Sequence, residues 1–508
     1  MNERYRRLLR ATPERHAPGA GAFTTDSRAL RSWVAALPLA NFAATARLLL
    51  DGLRQINRMR VDAVQRLDAL EILRHPVAQL AEQTDKQIVG ASFPLPPQKL
   101  ELGAIALEFQ SELSLGYRIA LAELCAPSGT VPFMRSKQVT TAAVRALQHG
   151  GDHLSKAYLL YRTPPVGAWQ SLHDVYRFIS MVRSDDRAVE DPLLGSAVTA
   201  RLAYAHAILL ALANPYRYTQ RELLEVIAFT RTVAPYVELR AGAGASGDTA
   251  MNTDCDRGPG YLPEERGHSE LEVMSIGLAP LLKFIEGQVA ILPPGARVAT
   301  FRLRGGPPVQ IDIDLAHRLV DGWTATGERS HTRLGGGYRL LWERGPGGET
   351  VRARIGELVG LALPEQSDGT PDWMVGAIRW IRIDGEGRVD AGVELLSRRA
   401  LPVGVRNTEE TGMQSAMRGL LLTSLRPDES DHTSLITPGL FERASSAVEL
   451  TLPVDPQGPP APARTERVRG MGLIEATGIY LQFALPPLNA PAADFANEAT
   501  AQRAVAGG

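Results

Sequence analysis

The hydrophobic period of this chain changes near residue 296, and that switch limits what it can fold into. Before it, Phe42, Ala46, Leu49, Leu53 and Ile56 step by four and three, which puts them on one face of a helix. Val61, Val64, Leu67 and Leu70 continue a similar stripe until Pro76, which lacks a donor and should end it. The spacing predicts further helices over 100–124, 139–161 and 198–212, the last stopped by Asn214-Pro215. Thr219-Gln-Arg-Glu222 has the spacing of a capping box at the head of another. Beyond 296 the period is two: Val389, Ala391, Val393 and Leu395 alternate with charged or small partners. The run 373–383, WMVGAIRWIRI, is also strand-like, and Asp384-Gly-Glu-Gly387 between the two marks a hairpin turn.

The period switch and the turn signals give an α+β multidomain chain. Residues 1–27 read as a flexible N-terminus, 28–235 as an all-α domain, and 236–295 as a Gly/Asp/Pro-rich linker with a connecting helix from Leu271 to Ile291. An antiparallel β-barrel or sandwich is expected over 296–405 and a second small β unit over 406–486, including AVELTLPV and GIYLQFAL. The Ala/Pro/Asn-rich stretch 487–508 reads as a disordered tail.

Composition narrows function by exclusion. With 55 basic and 56 acidic side chains, the chain has no electrostatic case for non-specific DNA or membrane binding. No run of about 18 apolar residues occurs, so no spanning helix is expected. Cys125 and Cys255 cannot build a disulfide framework, and the N-terminus lacks an apolar signal region, so a cytoplasmic location is expected. HExxH, Walker, GxSxG, GxGxxG and paired CxxC motifs are missing, so no catalytic residue is nominated. Asp248, Asp254 and Asp256 lack the regular oxygen series of a calcium loop and read as a solvated loop. Tyr158, Tyr161, Trp169, His173 and Tyr176 read as helix-corner packing, and Trp380 as barrel core.

Gly337-Tyr-Arg-Leu340, Gly356-Glu-Leu-Val359, Val375-Gly-Ala-Ile-Arg-Trp380 and Val389-Asp-Ala-Gly-Val-Glu-Leu395 together resemble a PilZ domain over residues 299–405. The segments YRTPPVGAWQSLHDVYRF and LALANPYRYTQREL resemble the helical part of large proteobacterial proteins that end in a PilZ-like region. The resemblance implies a six-stranded barrel and, as ligand, cyclic di-GMP, held by an RxxxR segment and a D/N-x-S-x-x-G loop. If Gly337 is the loop's glycine, Thr332 and Leu334 stand where the acidic and serine groups belong. Arg302 and Arg304 are two apart, whereas Arg329-Ser-His-Thr-Arg333 keeps the RxxxR spacing directly against the glycines. The candidate ligand-binding residues are therefore Arg329, Arg333, Gly337, Arg302 and Arg304, since guanidinium groups bond phosphates and stack on guanines. A Gly-rich strand connection is the plain alternative for this loop.

The expected function is a non-catalytic signalling adaptor that binds a cyclic dinucleotide, a protein partner through the helical domain, or both; an oligomer is compatible with it. A degenerate barrel serving only interaction or oligomerisation is the alternative, followed by an enzyme with an unrecognised site. No metal and no cofactor beyond cyclic di-GMP is expected.

Overall fold

The computed structural model describes residues 3–486 apart from 20–22, 39, 92, 242–248, 253–259, 262–272, 291, 293–295, 302–307, 325–336, 343–352, 363–372, 385–386, 399, 409–415, 423–432, 439–446 and 453–464. A helical N-terminal region is followed by antiparallel sheets, an α+β multidomain architecture. The chain divides into two compact units. One is Met1–Arg333 with Glu343–Arg352 and Arg382–Val389; the other is Leu334–Trp342 with Ala353–Ile381 and Asp390–Gly508.

In the first unit, α1 (Glu3–Leu8) and α2 (Ser27–Ala35) lead into α3 (Phe42–Arg58), α4 (Ala63–Ile88), α5 (Pro97–Leu124) and α6 (Ser136–Leu159). Then come α7 (Ala168–Met181), α8 (Ala200–Leu212), α9 (Gln220–Val233), α10 (Ala279–Ala290) and α11 (Ile313–Thr324). The apolar stripe of α3 is buried at Ala46, Leu49, Leu53 and Ile56, each large side chain contributing about 1.5–3 kcal/mol. α5 packs against α3, α4 and α6, and α6 packs against α7 and α8. Gly116 of α5 permits a close approach, because a Cβ there would lie 2.6 Å from Asn57 Oδ1. At α9 the capping box is complete: Thr219 Oγ1 accepts the Glu222 N–H at 3.3 Å, and Glu222 Oε2 accepts the Thr219 N–H at 2.8 Å.

Two expectations are corrected here. α4 does not stop at Pro76 but runs through it to Ile88. An interior proline costs about 3 kcal/mol, and the burial of Leu73, Pro76, Val77 and Leu80 on that turn offsets the cost. The helix expected from Leu271 begins only at Ala279. Residues Val273–Gly277 form a strand, paired with Glu238–Ala241 on one side and Thr249–Asn252 on the other. The β-branched Val273 and Ile276 suit a paired strand better than a helix start.

The first unit therefore also holds strands: the hairpin β1 (Val189–Asp191) and β2 (Ser196–Val198), then β3 (Glu238–Ala241), β4 (Thr249–Asn252), β5 (Gly260–Tyr261) and β6 (Val273–Gly277) in the order β3-β6-β4-β5. β7 (Val298–Phe301) and β8 (Val309–Asp312) pair with each other. α11 follows them, its N-terminus capped by Asp312 Oδ1, which accepts the Asp314 N–H at 2.9 Å. Its buried Trp323 donates Nε1–H to Leu209 O at 2.9 Å, and Phe229 meets Phe301 edge-on at 4.9 Å. Phe301 and the helix Ile313–Thr324 thus pack with the preceding helices, although the change of period falls before them.

The second unit contains two sheets. β9 (Gly337–Trp342), β10 (Leu358–Ala362), β11 (Trp373–Ile383) and β12 (Val389–Ser397) lie in the order β10-β11-β12-β9. β13 (Ala400–Asn407), β14 (Met417–Leu422), β15 (Ser434–Pro438), β16 (Ala447–Thr451), β17 (Thr465–Arg469), β18 (Gly472–Ala476) and β19 (Tyr480–Ala484) form an antiparallel sheet ordered β17-β16-β13-β14-β15-β19-β18. One face of this sheet buries Val403, Val405, Leu421, Leu435, Val448 and Phe483. From the other, Leu422, Ile436 and Tyr480 pack with Val375 and Ala377 of β11. With period-two alternation, β14, β15 and β19 each serve both cores at once.

Candidate functional site

Of the five candidate binding residues, Gly337 is described and opens β9; Arg302, Arg304, Arg329 and Arg333 lie outside the described residues, as do Asp248, Asp254 and Asp256. Glycine suits position 337 because an added Cβ would come within 3.3 Å of the Val393 carbonyl oxygen on the adjacent strand. The next two side chains face outward. Tyr338 directs its hydroxyl to the Met374 sulfur at 3.8 Å, and Arg339 makes a bidentate pair with Asp390, both contacts at 2.8 Å. The hydrogen bond and the charge of Asp390 raise the pKa of the Arg339 guanidinium. A pair so exposed adds little stability, but it commits Arg339 to a fixed geometry at the head of the sheet.

Further into the sheet, Trp380 lies across Gly392: a Cβ on Gly392 would stand 1.9 Å from the indole Nε1. Trp380 is half-buried, not a core residue, because the indole spreads over a strand surface that glycine keeps bare. Arg379 is not the solvated side chain its position suggests. It bonds Glu394 at 2.6 Å and holds both oxygens of Glu475, one at 2.9 Å, while the Tyr480 hydroxyl donates to Glu475 at 2.8 Å. Burial disfavours the Arg379 charge, yet the hydrogen bond to Glu475 and the attraction of Tyr480, Glu475 and Glu394 together hold its pKa above the ordinary value. Sequence spacing could not find this cluster, since Glu475 and Tyr480 arrive from strands about a hundred residues away.

The aromatic set in the helical unit is interior. Tyr158, Tyr161, Trp169, His173 and Tyr176 are all buried, and His173 Nδ1 meets the Tyr204 hydroxyl at 2.5 Å. Beside them sits a polar cluster that sequence did not single out. Arg74 and Arg145 both bond Asp191 of the β1–β2 hairpin, at 2.9 and 2.8 Å, and Glu71 receives Tyr117 and Arg145. Arg74 Nε donates to His149 Nε2 at 3.0 Å, so the imidazole proton resides on Nδ1 and is given to Gln110 at 2.7 Å. Burial, then the nearby arginines, keep His149 well below its usual pKa. Each polar atom named here has a partner, which makes this a structural network and not an open catalytic site.

The strand pattern around Gly337 defines the class: this is a PilZ-domain protein, with residues 335–402 matching the model of the middle PilZ domain of the cyclic-di-GMP receptor FimW. Residues 28–244 match the model of the N-terminal domain of that receptor, so both matched segments resemble proteins of the FimW type. The cyclic-di-GMP receptor FimW of Pseudomonas aeruginosa is 24% identical over 317 residues, covering 61% of this chain and 50% of that protein. The chain thus spans half the length of the curated relative it matches. No solved structure matches. Among the described residues, no helix is long and apolar enough to cross a membrane.

Proposed function

We propose that this chain is a non-catalytic, cytoplasmic signalling adaptor that binds cyclic di-GMP at its PilZ domain and a protein partner through its helical unit. The observation that carries this reading is the match of residues 335–402 to a PilZ domain, whose first strand opens at Gly337 directly after the arginine-bearing segment 329–333. The relative's name as a cyclic-di-GMP receptor supports the same ligand. Arg329 and Arg333 supply planar, permanently charged groups for the phosphates and guanine faces, and Gly337 lets the backbone approach. Arg302 and Arg304 are the second candidate pair. A homo-oligomer is compatible with this role.

Calorimetry and thermal unfolding with cyclic di-GMP test it. Binding is expected to raise the midpoint, since a ligand held by the native state adds about 2.7 kcal/mol at a hundredfold excess over Kd. Arg329→Ala and Arg333→Ala should each weaken binding about tenfold or more, one lost charge-assisted contact being of order 1.5–3 kcal/mol. No heat and no midpoint shift at roughly 100 μM ligand would sink the nucleotide reading, because a ligand that binds the native state must stabilise it. A second reading, an interaction module without nucleotide, is favoured by Thr332 and Leu334 at the acidic and serine positions. It expects that null result together with retained partner binding.

A further inference from the structure

A groove of about 680 Å³ opens on the seven-stranded sheet, within the second unit. Two cross-strand rows build its floor: Pro402, Leu420 and Ile436 in the first, Gly404 and Arg418 in the next. Leu358 of β10 and Ile479 wall it. The volume and the mostly apolar lining are those of small-molecule sites.

Two observations say what belongs there. Gly404 interrupts a strand at a conformational cost, yet neither backbone nor packing requires it. Its φ is not positive, and an added Cβ would meet only ordinary contacts, Thr451 at 3.4 Å and Ala416 at 3.5 Å. A strand glycine without a packing reason marks close approach by something else. Next to that gap, Arg418 is exposed and has no ion pair among the described residues, whereas Arg406 and Arg467 of the same sheet both engage Glu449. The acidic group lining the groove, Glu357, accepts the Arg354 N–H at 3.0 Å.

From this we infer that the groove binds an amphipathic mono-anion, an apolar chain or ring body lying over Gly404 and Leu420 with its carboxylate or phosphodiester head on Arg418. One cation among apolar walls is a poor match for a dianionic cyclic dinucleotide, so this site is separate from the nucleotide site proposed above and does not depend on it. Because Leu358 comes from the PilZ sheet and the floor from the seven-stranded sheet, the ligand touches both.

The test is displacement of the fluorescent sulfonate 1-anilinonaphthalene-8-sulfonate from the full chain by dodecanoate, dodecyl methyl phosphate and dodecanol, each below its micelle concentration. The two anions are expected to displace the dye at least tenfold more effectively than the alcohol, and the stronger of them identifies the head group. Arg418→Gln, at an exposed position, should abolish that difference. Gly404→Leu should block dye and competitors alike while leaving the unfolding midpoint near that of the parent. Cyclic di-GMP should not compete. The inference is overturned if the dye does not bind, if Arg418→Gln leaves the preference for anions intact, or if a folded Gly404→Leu still binds all competitors.

Discussion

Arg145 reaches Asp191 across 2.8 Å at a point where neither side chain is more than 2% exposed, and Arg74 closes on the same carboxylate. This pins the β1–β2 hairpin to α4 and α6. Asp191→Ala leaves two buried guanidinium groups without their anion, a change expected to cost about 3–5 kcal/mol. Urea unfolding followed by far-ultraviolet dichroism measures it. A loss below about 1 kcal/mol, the scale of an exposed pair, would mean water replaces the carboxylate. Burial opposes the Asp191 charge, but Arg74 and Arg145 outweigh it and depress the pKa. The group therefore stabilises the fold above the ordinary carboxylate range, and that contribution is lost as pH falls through its folded pKa.

A second pH dependence comes from histidines held neutral. Burial lowers His153 to about 4 and His173 to about 3, and keeps His149 and His206 well below their usual value. His173 Nε2 and His206 Nε2 are buried with no hydrogen-bond partner, so a proton added there would have no acceptor. The unfolded chain binds these protons near pH 6.5 and the folded one does not, so stability is full above that pH and falls below it. Each group should contribute up to about 1.4 kcal/mol per pH unit below 6.5. Unfolding midpoints at pH 7.5 and 5.5 check the slope, and His153→Leu should reduce it by one proton; an unchanged slope would contradict the assignment.

Gly392→Ala drives a methyl group into the Trp380 indole. Overpacking of this kind is expected to cost about 1–3 kcal/mol, and the indole should move toward solvent with a red-shifted emission. Trp380→Leu in the same chain should restore part of the loss. If the double variant is no better than the single, the contact is not the cause.

The capping box at α9 offers a smaller, local change. Thr219→Ala should cost about 1 kcal/mol, and Thr219→Ser should recover most of it. Thermal midpoints of the three proteins decide the matter, and equal midpoints would show the cap to be replaced by water.

Helices were legible where one apolar face repeats over three or more turns, as in α3 and α8, and where a cap is written in adjacent residues, as at Thr219 and Glu222. The β11–β12 hairpin was legible too, its turn closed by the Gly387 N–H on Asp384 O at 3.2 Å. Pro76 misled because local propensity does not register what a buried turn gains from its neighbours. Val273–Gly277 misled because a short apolar run fits either period. The side chains that meet around Arg379 escaped for another reason: partners on β12, β18 and β19 converge through strand register, which no local window contains. The candidate loop supplied Gly337 and its neighbour strand, while its arginines stand as proposals.

The order of the seven-stranded sheet also constrains the sequence of events in synthesis. β19, encoded at Tyr480–Ala484, lies between β15 and β18. Until those residues leave the ribosome, β15 has a bare edge and Leu435 lacks its partner Phe483. The helical unit can collapse early around contacts between successive helices, whereas this sheet must wait for its late inner strand. A nascent chain stalled before Tyr480 would thus present an adhesive edge, which makes the interval before β19 is synthesised the moment of greatest risk for mispairing.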